Sequence, residues 1–228
     1  VSSKMAVRIH NEYGAETIQK VKDDPYQLAD EVFGIGFIKA DVIAQNMGFG
    51  LEDPHRMRAG LYYTLNKLAT EGHTYAPRQL LLDTAVELLK FENTTLLDFV
   101  LQKEINAAAL YSEPINLPDG RPAQAVYLPI YYFSEKGAAK LLRAIAGSPS
   151  SLVGAWKTVK WDHFLGELAE KNNGSLTEQQ QGAVRAALTS KVSVLTGGTG
   201  TGKTTTLQMV INALVWAKRG FKLASPTG

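Results

Sequence analysis

The chain has 228 residues, of which 45% are hydrophobic and 20% charged, so we expect a soluble globular protein with one large domain or two to three small ones. Its net charge of +2 is too small to indicate nucleic-acid binding by itself, and the absence of cysteine excludes disulfides and thiolate metal sites. No apolar run approaches the ~20 residues of a membrane span and no signal-peptide layout opens the chain, so we expect a cytoplasmic protein without a membrane partner.

The N-terminal quarter predicts short helices followed by a longer one. Apolar residues recur at helical spacing over residues 3–47, and tight turns interrupt them, notably at the Gly-Ile-Gly segment 34–36. A longer helix is predicted over residues 57–71, because Asp53 and Pro54 supply an N-cap and a proline suited to the first helical position.

The middle of the chain predicts a small mixed domain. Residues 78–110 predict helices with core-facing apolar stripes, and residues 134–145 predict another helix. A β-hairpin is predicted between residues 110–115 and 125–128, because Pro-Asp-Gly at 118–120 provides turn chemistry. This order suits a winged-helix-like fold, but it suits a generic α+β connector as well, and both interpretations stay open.

A glycine-rich string near the C-terminus carries the strongest signal. The sequence GGTGTGKT at residues 197–204 has two glycines with four residues between them, followed by lysine and a hydroxyl residue. Before it, the β-branched run 192–195 predicts a buried strand, and after it residues 205–217 predict a helix. The inward residues of that helix are predicted to be Leu207, Val210, Ile211 and Leu214. Strand, loop and helix therefore follow in the order that a P-loop requires.

The residue types in this loop match the chemistry of binding ATP and Mg²⁺. Glycines let successive backbone amides approach phosphate closely, and the helix N-terminus adds the positive end of its dipole. We predict that Lys203 reaches the β- and γ-phosphates and that the Thr204 hydroxyl is a Mg²⁺ ligand, which makes these two the catalytic residues. The remaining predicted nucleotide contacts of this segment are Gly198, Thr199, Gly200, Thr201, Gly202 and Thr205.

A glutamine-rich segment lies just upstream of the loop. Taken alone, the glutamines of LTEQQQGAV at residues 176–184 would form a polar helix face after an N-cap at Thr177. Beside a P-loop, the string resembles the adenine-reading glutamine motif of superfamily 1 and 2 helicases, with Gln180 at the matching position. Its amide both donates and accepts, so it can pair with the complementary groups on the edge of adenine.

Taken together, these motifs give the chain a resemblance to RecD-like superfamily 1 DNA helicases, which are related to the alpha subunit of exodeoxyribonuclease V. The resemblance rests on the glutamine motif, on the string at residues 196–205 and on ASPTG at residues 224–228. The last string is similar to the family's next motif, which touches single-stranded DNA, so the resemblance implies DNA contacts by Pro226, Thr227 and Gly228. Thr199 stands where the family usually has proline, which makes the loop less rigid without removing a catalytic group.

The N-terminal residues 24–44 agree with this resemblance, because they are similar to a helix-hairpin-helix. In such a hairpin, Gly34 and Gly36 would expose backbone amides to a DNA phosphate, and Lys39 would assist. A plain helical hairpin with a protein-docking or scaffold role is the alternative. The seven Lys/Arg and nine Asp/Glu of residues 1–60, a net charge of 7 − 9 = −2, give weight to this alternative.

The sequence thus predicts a multidomain chain. Its predicted parts are an all-α helix-hairpin-helix region at 1–56, a small α+β part with a hairpin at 57–146, a linker at 147–160, and the start of a P-loop NTPase α/β (RecA-like) domain at 161–228. The last part is basic, with a net charge of 7 − 4 = +3. Because a P-loop domain needs further parallel strands, we expect it to continue beyond residue 228.

The resemblance implies an ATP-dependent DNA helicase that moves along single-stranded DNA, or acts at a junction with duplex, with 5′ to 3′ polarity. It implies roles in DNA repair and recombination, a nuclease or repair-complex partner, and later motifs that these 228 residues do not contain, so this stretch alone should be inactive. A P-loop switch or kinase without motor activity is one alternative. A non-enzymatic DNA-binding or docking module is the other.

Overall fold

The computed structural model describes residues 2–150, 154–171 and 175–225. The chain divides into two compact units, Val1–Lys136 and Gly137–Gly228. Within the described ranges, no helix combines the length and the apolar character that a membrane span requires. The described residues are mostly helical with a small sheet, and the four-part division made from the sequence stays a prediction.

Short helices joined by turns open the first unit, as predicted. They are α1 (Ser3–Tyr13), α2 (Thr17–Asp23), α3 (Gln27–Glu31) and α4 (Phe37–Asn46). In the turn between α3 and α4, Gly34 has a φ of 83°, which a residue with a Cβ rarely adopts. Val32 and Ile35, on either side of this turn, are buried and hold it against the core.

Longer helices follow. Helix α5 (Pro54–Thr70) begins as the sequence predicts, because the Asp53 carboxylate accepts a hydrogen bond of 2.8 Å from the amide of His55 and Pro54 lies in the first turn. Helices α6 (Arg78–Leu89) and α7 (Thr94–Asn106) confirm the helical prediction for residues 78–110. Gly60 lets α6 approach α5 closely, since a Cβ there would lie 2.8 Å from Cδ2 of Leu89.

A small antiparallel sheet completes the first unit. Its strands are β1 (Ala76–Pro77), β2 (Tyr111–Asn116) and β3 (Pro122–Tyr127), in the order β1-β3-β2. The predicted hairpin is confirmed, with Tyr111 opposite Tyr127 and Asn116 opposite Pro122. Helix α8 (Pro129–Gly147) starts earlier than predicted, because Pro129 suits the first position of a helix.

One hydrophobic core joins the N-terminal helices to α5, α6, α7 and the sheet. It contains fully buried side chains from each region, among them Leu28, Met57, Leu81, Leu97 and Val126. Burying side chains of this size stabilises the fold by about 1.5–3 kcal/mol each.

A buried ion pair ties α4 to α5. The guanidinium of Arg56 donates to the two carboxylate oxygens of Asp41 through Nε at 2.8 Å and Nη2 at 3.0 Å, and Arg56 is only 3% exposed. The Tyr26 hydroxyl donates to the same carboxylate at 2.8 Å. Burial and this hydrogen bond raise the pKa of Tyr26, so its hydroxyl stays a donor.

The second unit has its own core. Helices α9 (Trp161–Lys171), α10 (Glu178–Thr189) and α11 (Lys203–Trp216) surround it. Its buried residues are Trp156, Phe164, Leu165, Leu168, Leu176, Val184, Leu188, Met209 and Ala213.

One prediction for the second unit is wrong, and another is confirmed only in part. Residues 192–195 form no strand, and Val194 is 82% exposed, because no segment among the described residues pairs with them and a strand exists only as part of a ladder. The inward stripe predicted for α11 is confirmed in part. Val210 and Leu214 pack, partly buried, against the unit's core, but the fully buried residues are Thr206, Met209 and Ala213, and Leu207 is 47% exposed. Small side chains at Thr206 and Ala213 suit the close packing of this face on the unit's core.

Candidate nucleotide-binding site

The glycine-rich loop leads directly into α11. Gly200 and Gly202 have φ values of 78° and 80°, in the left-handed region that glycine adopts without strain. Gly202 is the N-cap of α11, so the helix begins at Lys203. The loop therefore ends at a helix N-terminus, where unpaired backbone amides and the helix dipole favour an anion.

The lysine of the loop contacts the loop's own backbone. Lys203 Nζ donates to the carbonyl oxygen of Gly197 at 2.7 Å and also to that of Gly198. The Thr201 hydroxyl donates to the Gly198 carbonyl at 2.9 Å, which tightens the same turn. These contacts hold the ammonium group at the loop, where an anion would compete with the carbonyls for it.

Gln180 lies against this loop. A Cβ built on Gly202 would be 2.3 Å from Gln180 Nε2, so the side-chain amide touches the backbone of the last glycine. Gln180 is held there by a capping box at the start of α10. Its Oε1 accepts from the Thr177 amide at 3.0 Å, and the Thr177 hydroxyl accepts from the Gln180 amide at 3.3 Å.

The three threonines after Lys203 differ in whether the side-chain hydroxyl is free to bind a ligand. Thr204 and Thr205 are exposed, and no hydrogen bond of either hydroxyl is found within residues 175–225. Thr206, which sequence reasoning missed, is buried, and its hydroxyl donates to the Gly202 carbonyl at 3.0 Å. Its place four residues after Gly202 is the only sequence signal for this back-bond. Thr199 lies at an exposed turn of the loop.

The hairpin residues predicted to contact DNA also lie together, in the first unit. Gly34 and Gly36 flank Ile35, and Lys39 Nζ donates to the Gly34 carbonyl at 2.8 Å. Sequence reasoning missed Arg8, whose Nη1 lies 3.5 Å from the Phe33 carbonyl oxygen and 2.7 Å from where a Cβ on Gly34 would be. Arg8 is far from the hairpin along the chain, so no motif could have indicated it.

The predicted residues Pro226, Thr227 and Gly228 lie outside the described residues.

The glycine loop, its lysine and the helix that follows are the loop and the helix of a P-loop arrangement. Residues 180–228 match the family model of the AAA domain, and residues 1–75 match that of the ATP-dependent RecD2 DNA helicase HHH domain. The chain is 29% identical over 242 residues to the ATP-dependent RecD2 DNA helicase of Deinococcus radiodurans. That alignment covers 98% of this chain and 31% of the relative, so the chain spans about a third of the relative's length. These similarities confirm the resemblance to RecD-like helicases.

Proposed function

We propose that this chain is the N-terminal region and the start of the first motor domain of an ATP-dependent DNA helicase. The observation that carries the proposal is the contact between Gln180 and Gly202, because the side chain proposed to read adenine then lies beside the loop proposed to bind phosphate. A site for one ATP molecule needs a group that recognises the adenine and a loop that binds the phosphates. The similarity to a RecD2 helicase over 98% of the chain supports the same activity.

Each residue of the loop has a role in this proposal. The amides of residues 200–204 donate to the phosphates, and Lys203 leaves the Gly197 and Gly198 carbonyls to neutralise charge on the β- and γ-phosphates. The exposed Thr204 hydroxyl, uncommitted within the described second unit, fits a Mg²⁺ ligand. When bound there, Mg²⁺ would neutralise part of the negative charge of the phosphates. Gly198, Thr199, Thr201 and Thr205 complete the proposed contacts.

Gln180 would read adenine with both ends of its side-chain amide, because adenine presents a donor and an acceptor on the edge that a glutamine amide pairs with. In the structure Oε1 accepts a hydrogen bond from the Thr177 amide. An amide oxygen has two lone pairs, so Oε1 can accept from adenine while it keeps this bond and the capping box stays closed.

The proposed DNA contacts lie at both ends of the chain. At the hairpin, the amides near Gly34 and Gly36 would donate to a phosphate and Lys39 would add charge. At the C-terminal end, Pro226, Thr227 and Gly228 would contact single-stranded DNA. The same proposal includes 5′ to 3′ polarity, a nuclease or repair-complex partner and a cytoplasmic location.

The middle of the chain supports a winged-helix-like interpretation. The element order α5-β1-α6-α7-β2-β3 and the sheet order β1-β3-β2 are compatible with such a fold. Helix α7 has one cationic residue, Lys103, and two acidic residues, Asp98 and Glu104, so its net charge is unfavourable for binding DNA. We therefore assign residues 57–146 a scaffold role between the hairpin region and the motor domain.

The test is the ATPase rate of the full-length protein with and without single-stranded DNA. The proposal predicts strong stimulation by DNA and its loss in Lys203→Ala. The matched control is Lys171→Ala, because Lys171 is an exposed lysine at the end of α9. A DNA-independent rate that requires Lys203 would instead favour a switch or kinase. An unchanged, DNA-stimulated rate in Lys203→Ala would overturn the proposed site.

A further inference from the structure

Phe33 is an unusually exposed aromatic side chain. It is 91% exposed, although the neighbouring Val32, Ile35 and Phe37 are all buried with exposures of 3–4%. Burying a phenylalanine is strongly favourable, so a turn that buries Val32, Ile35 and Phe37 but directs Phe33 outward does not use Phe33 for its own stability.

Two cationic side chains flank Phe33. Arg8 Nη1 lies 3.5 Å from the Phe33 carbonyl oxygen, and Lys39 Nζ donates to the carbonyl of the next residue, Gly34, at 2.8 Å. These two contacts come from different helices, α1 and α4, and they fix the backbone on both sides of the left-handed turn at Gly34. Phe33 is therefore presented by a braced turn.

Neither flanking cation is neutralised within the described first unit. Arg56 and Lys20, by contrast, are paired, with Asp41 and, at 3.7 Å, with Glu31. No ion pair of Arg8 or Lys39 occurs among the described residues, so the tip of the hairpin is locally basic although residues 1–60 carry a net charge of −2.

We propose that Phe33 is a stacking platform for an unpaired DNA base, with Arg8 and Lys39 contacting the adjoining phosphates. An aromatic face stacks on any base, and flanking cations follow the backbone, which is how single strands are held without sequence preference. A protein surface would need an apolar or acidic complement; the cations on both sides favour a polyanion. The inference rests on the proposed function, because it assigns a base contact to the proposed DNA-binding hairpin.

The experiment uses the full-length protein and single-stranded oligonucleotides that carry one 2-aminopurine at successive positions. Stacking on Phe33 quenches the fluorescence of the base that it contacts. Phe33→Ala should relieve that quenching at one position and weaken binding about tenfold, while Phe33→Trp should preserve both. Phe99→Ala is the matched control, because Phe99 is 67% exposed on α7, away from the hairpin in sequence.

Salt dependence separates the base contact from the phosphate contacts. Phe33→Ala should leave the slope of log affinity against log salt unchanged, whereas Lys39→Gln should reduce it by about 1. If Phe33→Ala binds with wild-type affinity and quenches every position as before, the inference is overturned and the exposed ring is a protein contact. DNA-stimulated ATPase activity would then still stand. Failure of the wild-type protein to bind DNA would overturn both proposals.

Discussion

The side-chain amide of Gln180 rests on the backbone of Gly202, with Nε2 only 2.3 Å from where a Cβ on Gly202 would lie. The glutamine motif and the P-loop are therefore in direct contact. Because Gly202 is also the N-cap of α11, a change at either residue alters both the phosphate loop and its helix.

Gly202→Ala should weaken nucleotide binding. An alanine there is strained by the φ of 80°, which costs on the order of 1–2 kcal/mol, and its Cβ collides with Gln180. We expect ATP affinity, measured by titration calorimetry, to fall at least tenfold.

Gly182→Ala is the matched control for that substitution. Gly182 lies within α10 and a Cβ on it meets no atom within 4 Å, so alanine should stabilise the helix by about 0.5–1 kcal/mol. In Gln180→Ala/Gly202→Ala the collision is removed but the backbone strain remains, so ATP affinity should stay below that of the single Gln180→Ala variant, which already lacks the proposed adenine contact. Wild-type affinity in the single Gly202→Ala variant would contradict the described packing.

Gln180→Ala should remove the preference for ATP over GTP. The variant loses the group proposed to read adenine, so the two dissociation constants should converge to within a few fold. It also loses the hydrogen bond to the Thr177 amide, which should lower the free energy of unfolding by about 1 kcal/mol. Gln179→Ala is the control, because Gln179 is exposed on the same helix turn and should keep the preference. Equal selectivity in the two variants would count against the adenine role.

Arg56→Ala should destabilise the first unit strongly. The substitution leaves the Asp41 carboxylate, 13% exposed, without its bidentate partner, which costs about 3–5 kcal/mol. Denaturant unfolding followed by circular dichroism measures this. In contrast, Arg121→Ala breaks an ion pair with Asp119 whose side chains are 76% and 49% exposed, and unfolding should be unchanged. Similar effects of the two substitutions would show that burial does not set the strength of the Arg56 pair.

Tyr62 should make stability fall at high pH. Burial and the nearby Glu104 carboxylate, 3.0 Å from its hydroxyl, raise the pKa of Tyr62 to about 12. The unfolded tyrosine loses its proton near pH ~10, so between about pH 10 and 12 the unfolded state binds fewer protons and the free energy of unfolding decreases as pH rises. Tyr62→Phe should make this decrease shallower in denaturant titrations at successive pH values.

Glu104→Gln tests the cause of that pKa shift. The substitution removes the negative charge but leaves Tyr62 buried, so the pKa of Tyr62 should stay raised by a smaller amount. The loss of stability caused by Tyr62 should then extend over a narrower pH range. A decrease as steep in Tyr62→Phe as in the wild type would show that Tyr62 does not contribute.

Local sequence determined the elements whose signals are short-ranged. Asp53 before Pro54 fixed the start of α5, and the turn at residues 118–120 fixed the β-hairpin, because caps and turns depend on neighbouring residues. The P-loop and the Thr177 cap were predictable for the same reason. The glutamine-rich segment 176–184 indicated an adenine-binding motif only because a P-loop sequence follows it.

Tertiary structure decided what depends on distant partners. The strand predicted at residues 192–195 is absent from the described chain because a ladder needs neighbouring strands, and the buried face of α11 follows Thr206 and Ala213 because packing favours small residues there. Likewise, Arg8 reaches the hairpin, and Gln180 reaches Gly202, only through folding. Sequence thus determined which chemical groups this protein carries, and tertiary packing decided which of them meet, because contacts across long stretches of chain leave no local pattern.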